Sequence, residues 1–144
     1  MKKAIIVILV LIFCIVISFS TAYNTYKSQE RELSNFNNEY EYYYDREIYG
    51  AELATIINKI TNNNSKYNVQ KDSKGNYIED EQNSIKMDIY IIDSDTTYSI
   101  ERIYSLGTER FVQNFNSAKF KCTKIDYHEQ SKKVKYLYFE QTSN

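Results

Sequence analysis

Three side chains in the C-terminal third have the types that nucleophilic chemistry uses: Cys122, Asp126 and His128. A Cys–His pair works because the imidazole takes the thiol proton and leaves a reactive thiolate. The spacing speaks against that use. Along one regular strand, residues 122 and 128 stand about 20 Å apart at ~3.3 Å per residue, beyond hydrogen-bond reach. His128 falls at a strand end beside a turn, where a surface imidazole is expected. No acid, base and nucleophile converge in the pattern, so the sequence reads as non-enzymatic.

Metal and phosphate chemistry fare no better. Asp93-Ser94-Asp95-Thr96-Thr97 starts like a calcium loop, but the central Gly is missing and Tyr104 stands where the closing Glu belongs. An Asx turn accounts for the same residues. One His and one exported Cys cannot make a zinc site, and Gly50, Gly75 and Gly107 are too isolated for a phosphate loop. No catalytic, cofactor-binding or metal-ligating residue is assigned, and no cofactor is implied. Tyr40, Tyr42, Tyr43 and Tyr44 form the densest aromatic cluster. On a helix they cannot all face inward, so at least one should stay exposed. Tyr offers a large amphipathic contact area, which makes these four the candidate contact for a partner or a glycan. Core packing and a codon bias toward Lys, Asn, Ile and Tyr explain the same cluster without a partner.

The element that must position all of this is at the start. Ala4–Phe19 is apolar throughout except for Ser18, with Lys2 and Lys3 before it. Extended through Ser20, Thr21 and Ala22, the run reaches about 28 Å as a helix. The cations precede it, so the positive-inside bias keeps the N-terminus cytoplasmic and puts the remainder outside, as a single-pass cell-membrane protein. A retained anchor over residues 1–22 and a cleavable signal peptide ending at Ser20-Thr21-Ala22 both fit. Phe13 is too bulky to precede a lipidated Cys14. With Lys2 and Lys3 set aside, 16 cations face 19 carboxylates, a net of −3. Nucleic acid is therefore not an expected partner, and no small-molecule substrate is evident. Cys14 and Cys122 are too differently placed for a disulfide, so the exported part must fold on packing alone.

From residue 23 to 49 an apolar stripe (Tyr26, Leu33, Phe36, Tyr40, Tyr43) predicts a stalk helix that lies on its own domain or pairs as a coiled coil. Leu53, Ile56, Ile57 and Ile60 predict an amphipathic helix over Ala51–Thr61. Residues 67–78 read as a short hairpin around Gly75, and Ile85–Ile92 as a half-buried strand with Ile85, Met87, Ile89 and Ile91 inward. Residues 98–106 fit strand or helix; Thr108–Phe115 reads as a short helix. Ala118–His128 and Val134–Gln141 form a closing hairpin. Its inward set shifts from Phe120 and Cys122 to Ile125 and Tyr127, which predicts a bulge near Thr123. The expected fold class is α+β: a transmembrane helix, a stalk helix, a second helix, then a four- to five-stranded antiparallel sheet with helices on one face, residues 50–144 being the extracytoplasmic domain.

An apolar N-terminal helix running into an amphipathic one and then an antiparallel sheet resembles the layout of type IV pilins and pseudopilins. In Lys3-Ala4-Ile5-Ile6-Val7-Ile8-Leu9 the small residue before the processing site of that family is matched by Ala4, while Leu9 stands where the family has Glu. The segments Gly50–Ile60 and Phe120–His128 also resemble short membrane-anchored proteins of AT-rich Gram-positive bacteria. The expectation from the residues is a non-catalytic, membrane-tethered accessory or interaction protein of the cell envelope, in contact with the lipid bilayer and with envelope proteins or itself. The pilin resemblance implies the alternative, a subunit of a surface or secretion apparatus.

Overall fold

A computed structural model describes residues 2–143. The chain divides into two compact units, one up to Asn35 and one from Phe36 onward, and helix α1 (Lys2–Glu41) contributes to both. In the first unit the side chains from Ile5 to Phe19 are exposed. The hydroxyls bond their own helix: Ser18 Oγ donates to Cys14 O at 2.8 Å, Thr21 Oγ1 to Ser18 O at 2.9 Å and Thr25 Oγ1 to Thr21 O at 2.9 Å. Each of these hydroxyls thus has its partner within its own helix. Among the described residues this is the one helix long and apolar enough to cross a membrane.

The second unit contains β1 (Glu47–Tyr49), α2 (Gly50–Lys66), β2 (Lys86–Ile91), β3 (Thr96–Ser99), α3 (Ile100–Leu106), α4 (Thr108–Phe115), β4 (Lys119–Tyr127) and β5 (Val134–Ser143). The strands form one sheet in the order β1-β4-β5-β2-β3. Its inner face (Ile48, Met87, Ile89, Ile91, Phe120, Cys122, Leu137 and Phe139) joins Leu53, Ile56, Ile57 and Ile60 of α2, Ile100 and Ile103 of α3, and Phe111 of α4 in a single apolar core. The alternation expected for Ile85–Ile92 is present, with Met87, Ile89 and Ile91 buried. The 98–106 segment divides: two strand residues, then α3, whose first turn is capped by Ser99 Oγ accepting from Arg102 N. Gly107, at φ +93°, makes the break between α3 and α4.

The sheet is mixed, not antiparallel as expected. β5 lies beside β2 in parallel register, with Leu137 opposite Met87 and Phe139 opposite Ile89, while the β1–β4, β4–β5 and β2–β3 pairs are antiparallel. Period-2 alternation says which face is buried but carries no strand direction. The long excursion through β3, α3, α4 and β4 returns the chain on the far side of β2, and β5 enters the centre of the sheet running the same way.

The stalk helix is also shorter than its expected 23–49. α1 ends at Glu41, a turn follows, and residues 47–49 pair with Lys119–Lys121 as an edge strand. Asp45 at φ +60° reverses the chain there without a glycine. In the stripe, Tyr26 is exposed, whereas Tyr40 and Tyr43 are in the core. The hairpin expected at 67–78 reduces to one bridge, Lys71 to Tyr77, closed by an Asx turn in which Asp72 Oδ1 accepts from Lys74 N and Asn76 N.

Two asparagines complete the backbone hydrogen bonding. Asn64, fully buried at the end of α2, donates through Nδ2 to Ile85 O at 2.7 Å and accepts through Oδ1 from Ile85 N at 2.9 Å. Asn37 does the same at the start of β5, donating to Lys132 O and accepting from Val134 N. Each amide stands in for a strand neighbour.

Candidate functional site

The four tyrosines sit where α1 gives way to the turn. Tyr43 N donates to Tyr40 O at 3.1 Å and Tyr44 N to Glu41 O at 3.0 Å, which tightens the last turn. The left-handed Asp45 then swings its N–H onto Cys122 O at 2.9 Å, and Tyr44 forms an isolated parallel bridge with Cys122. The cluster divides into a buried and an exposed pair, with Tyr40 in the last turn of α1 and the other three in the turn that follows. Tyr40 and Tyr43 are 3% and 9% exposed, Tyr42 and Tyr44 54% and 53%. Burial pushes the Tyr40 phenol well above its ordinary range, and the nearby Glu39 carboxylate adds to it. Tyr42 packs edge-on against Tyr43, centroids 5.2 Å apart, with the Arg46 guanidinium 4.3 Å from its ring centre.

On the facing strand the register of β4 against β5 slips between Cys122 and Lys124, the bulge expected near Thr123. Beyond it Ile125 pairs with Leu137 and packs against the core as the phase shift predicts, but a second register shift between Asp126 and Tyr127 takes Tyr127 out of the expected inward set. Tyr127 is 41% exposed. It walls an open cleft of about 520 Å³ shared with Glu41, Tyr44, Thr123, Lys124 and Ile125. Tyr127 Oη donates to Glu41 Oε1 at 2.7 Å. Burial, and then this carboxylate, push the phenol up to about 12. Lys124 Nζ is held by Asp126 Oδ2 at 2.8 Å.

Glu41, Thr123 and Tyr127 were missed as site residues from sequence. The bulge was the available signal, because bulges re-aim side chains beside sites. What the sequence lacked was the pairing that sets the end of α1 against β4.

The nucleophile-type residues each have another occupation. Cys122 is fully buried, its Sγ 3.6 Å from Lys124 O, and burial pushes the thiol up to about 11. His128 is not the surface residue expected: it is 2% exposed. Its Nε2–H donates to Ser84 O at 2.8 Å, since a carbonyl only accepts, and the turn folds back through His128 N to Lys133 O. No hydrogen bond among the described residues joins Cys122, Asp126 and His128. In the Asp93–Thr96 turn, Asp95 accepts from Tyr90 Oη at 2.8 Å. Among the described residues no group of three or more His, Cys, Asp or Glu side chains is placed to hold a metal ion.

Compared with family models, curated proteins and solved structures, the chain finds no match in any of the three.

Proposed function

We propose that this chain is a membrane-tethered, extracytoplasmic accessory or interaction protein of the cell envelope, acting by contact and not by catalysis. The observation that carries the reading is the exposed apolar surface of α1 from Ile5 to Phe19. Exposed apolar area costs roughly 25 cal/mol per Å² in water, so an unpartnered greasy helix belongs in lipid. The cations at Lys2 and Lys3 set its cytoplasmic end. The second unit has its own core and leaves Tyr42 and Tyr44 outward. These two are the contact residues of the proposal, with Tyr40 and Tyr43 as the buried half of the cluster that holds them.

A second reading, a pilin- or pseudopilin-like subunit, draws support from the 40 residues of α1, apolar at the start and amphipathic further on. Membrane flotation followed by alkaline carbonate washing tests the anchor. The tethered reading expects all of the protein to stay with the lipid as a monomer or small assembly. A sheared filament fraction would favour the second reading, and release by carbonate would remove both.

A further inference from the structure

Three departures from regular backbone meet at one place: the left-handed Asp45, the isolated Tyr44–Cys122 bridge and the β4 bulge at Thr123. Irregular backbone of this kind is retained where surrounding structure holds it, and it concentrates at binding sites. Together they open the cleft between Tyr44 and Tyr127, whose volume of about 520 Å³ lies within the ~300–1,000 Å³ of ligand sites.

The lining defines what fits. Tyr44 and Tyr127 supply two half-exposed aromatic surfaces and Ile125 a further apolar one. Around these stand a carboxylate (Glu41), a hydroxyl (Thr123) and an ammonium (Lys124). With Asp126 holding Lys124, two carboxylates stand against one ammonium, so the surroundings of the cleft disfavour an anionic ligand. Its polar groups are already fixed. Glu41 holds Tyr127 Oη at 2.7 Å, and Asp126 holds Lys124 Nζ at 2.8 Å. A carboxylate has about four acceptor positions, and Tyr127 takes one, so Glu41 can still accept from a ligand hydroxyl. A peptide adding as a strand would need a regular free edge. The bulge takes Thr123 out of the ladder at this point and blunts that edge.

We infer that the Tyr44–Tyr127 cleft is a binding site for an uncharged glycan chain. A pyranose presents an apolar C–H face and a rim of hydroxyls, which is the pairing these surfaces and rim complement. The inference rests on the envelope-interaction reading and names the partner chemistry of the same tyrosine turn. Tyr44 stacks the sugar face, Tyr127 adds the second aromatic surface, and Glu41 and Thr123 take the hydroxyls. Tyr42, stacked on Tyr43 and capped by Arg46, lies outside the cleft lining.

The test uses the full chain in lipid nanodiscs, with two probes: the soluble N-acetylglucosamine pentamer by calorimetry and purified cell-wall sacculi by cosedimentation. Expected is binding of roughly 1 mM or tighter to the pentamer, with pentamer displacing the protein from sacculi. Tyr44→Ala and Tyr127→Ala should each weaken binding at least about tenfold, as loss of a central aromatic contact does. Tyr104→Ala, at an exposed tyrosine of α3 outside the cleft lining, should stay within about twofold, and Tyr127→Phe should fall between wild type and Tyr127→Ala because it keeps the ring and loses the bond to Glu41. Thermal unfolding of each variant separates lost binding from lost folding. Failure to bind either probe, or undiminished binding by folded Tyr44→Ala and Tyr127→Ala, overturns the inference. A protein that is membrane-held yet binds no sugar sinks the glycan site alone, whereas one recovered from the cytosol sinks the envelope reading beneath it.

Discussion

The side-chain amide of Asn64 makes both hydrogen bonds that the backbone of Ile85 needs, at 2.7 Å and 2.9 Å, in a fully buried position. It ties the end of α2 to the residue before β2. Replacing it with Ala leaves the Ile85 N–H and C=O buried and unpaired. Each such group costs about 1–3 kcal/mol, so Asn64→Ala should destabilise the second unit by about 2–6 kcal/mol. A urea titration followed by far-UV circular dichroism reads this as a lowered midpoint with little change in slope. An unchanged midpoint would mean that water or a relaxed backbone replaces the amide.

Gly50 opens α2 directly against the end of α4. A Cβ there would sit 2.0 Å from Phe115 O and 2.7 Å from its carbonyl carbon, both backbone atoms that cannot swing away. Gly50 N also donates to Ala118 O at 3.0 Å, which fixes the approach. Gly50→Ala should therefore destabilise by about 1–3 kcal/mol, the cost of forced overpacking, where an exposed helical Gly→Ala would stabilise. The sign of the shift in melting temperature decides it.

Cys122 is buried, and burial holds its thiol up at about 11. The thiolate is thus scarce near neutral pH, and a maleimide should leave Cys122 unmodified in the folded protein and label it fully in urea. Linkage gives the sign of the alkaline effect. The folded pKa is raised, so the contribution is whole below the unfolded value near 8.5 and is lost as pH rises from there toward about 11. Cys122→Ala should flatten the alkaline limb of a stability–pH profile; rapid labelling of the native protein would contradict the burial.

Asp80 behaves in the opposite sense. Partial burial pushes its carboxyl up, but N–H donors from Asn83, Ser84 and Gln82 outweigh this and hold it below the usual range. A lowered folded pKa stabilises above the unfolded value of about 3.9 and is lost as pH falls through the folded one. Asp80→Asn keeps an acceptor oxygen but cannot titrate. It should reduce the acid dependence of unfolding below about pH 4 while costing less at neutral pH than Asp80→Ala. Equal acid slopes in wild type and Asp80→Asn would remove this role.

Much of the framework was legible because it depends on local pattern. Leu53, Ile56, Ile57 and Ile60 have one helical period, Met87, Ile89 and Ile91 one strand period, and the phase shift after Cys122 marks the bulge at Thr123. Features fixed by distant pairings were not legible. Nothing near Leu137 or Met87 says that their strands run parallel. Residues 47–49 lie in a stretch without Gly or Pro, so the break at Asp45 and the edge strand that follows looked like more helix. His128 is buried because Ser84, far back in sequence, offers its carbonyl. Asn64 and Asn37 were hidden in a codon-biased background, where an asparagine with a structural role resembles one without. The Glu41–Tyr127 bond has the same origin: two polar residues 86 positions apart.

The central claim, a domain held outside the cell by a single apolar helix, meets its sharpest test in protease treatment of intact spheroplasts, with the intact mass of the protein measured beforehand. The account predicts a full-length mass, complete loss of the C-terminal domain on adding protease outside, and survival of a short fragment containing Lys2 and Lys3. A full-length product that resists external protease and stays in the supernatant after lysis and ultracentrifugation would contradict it.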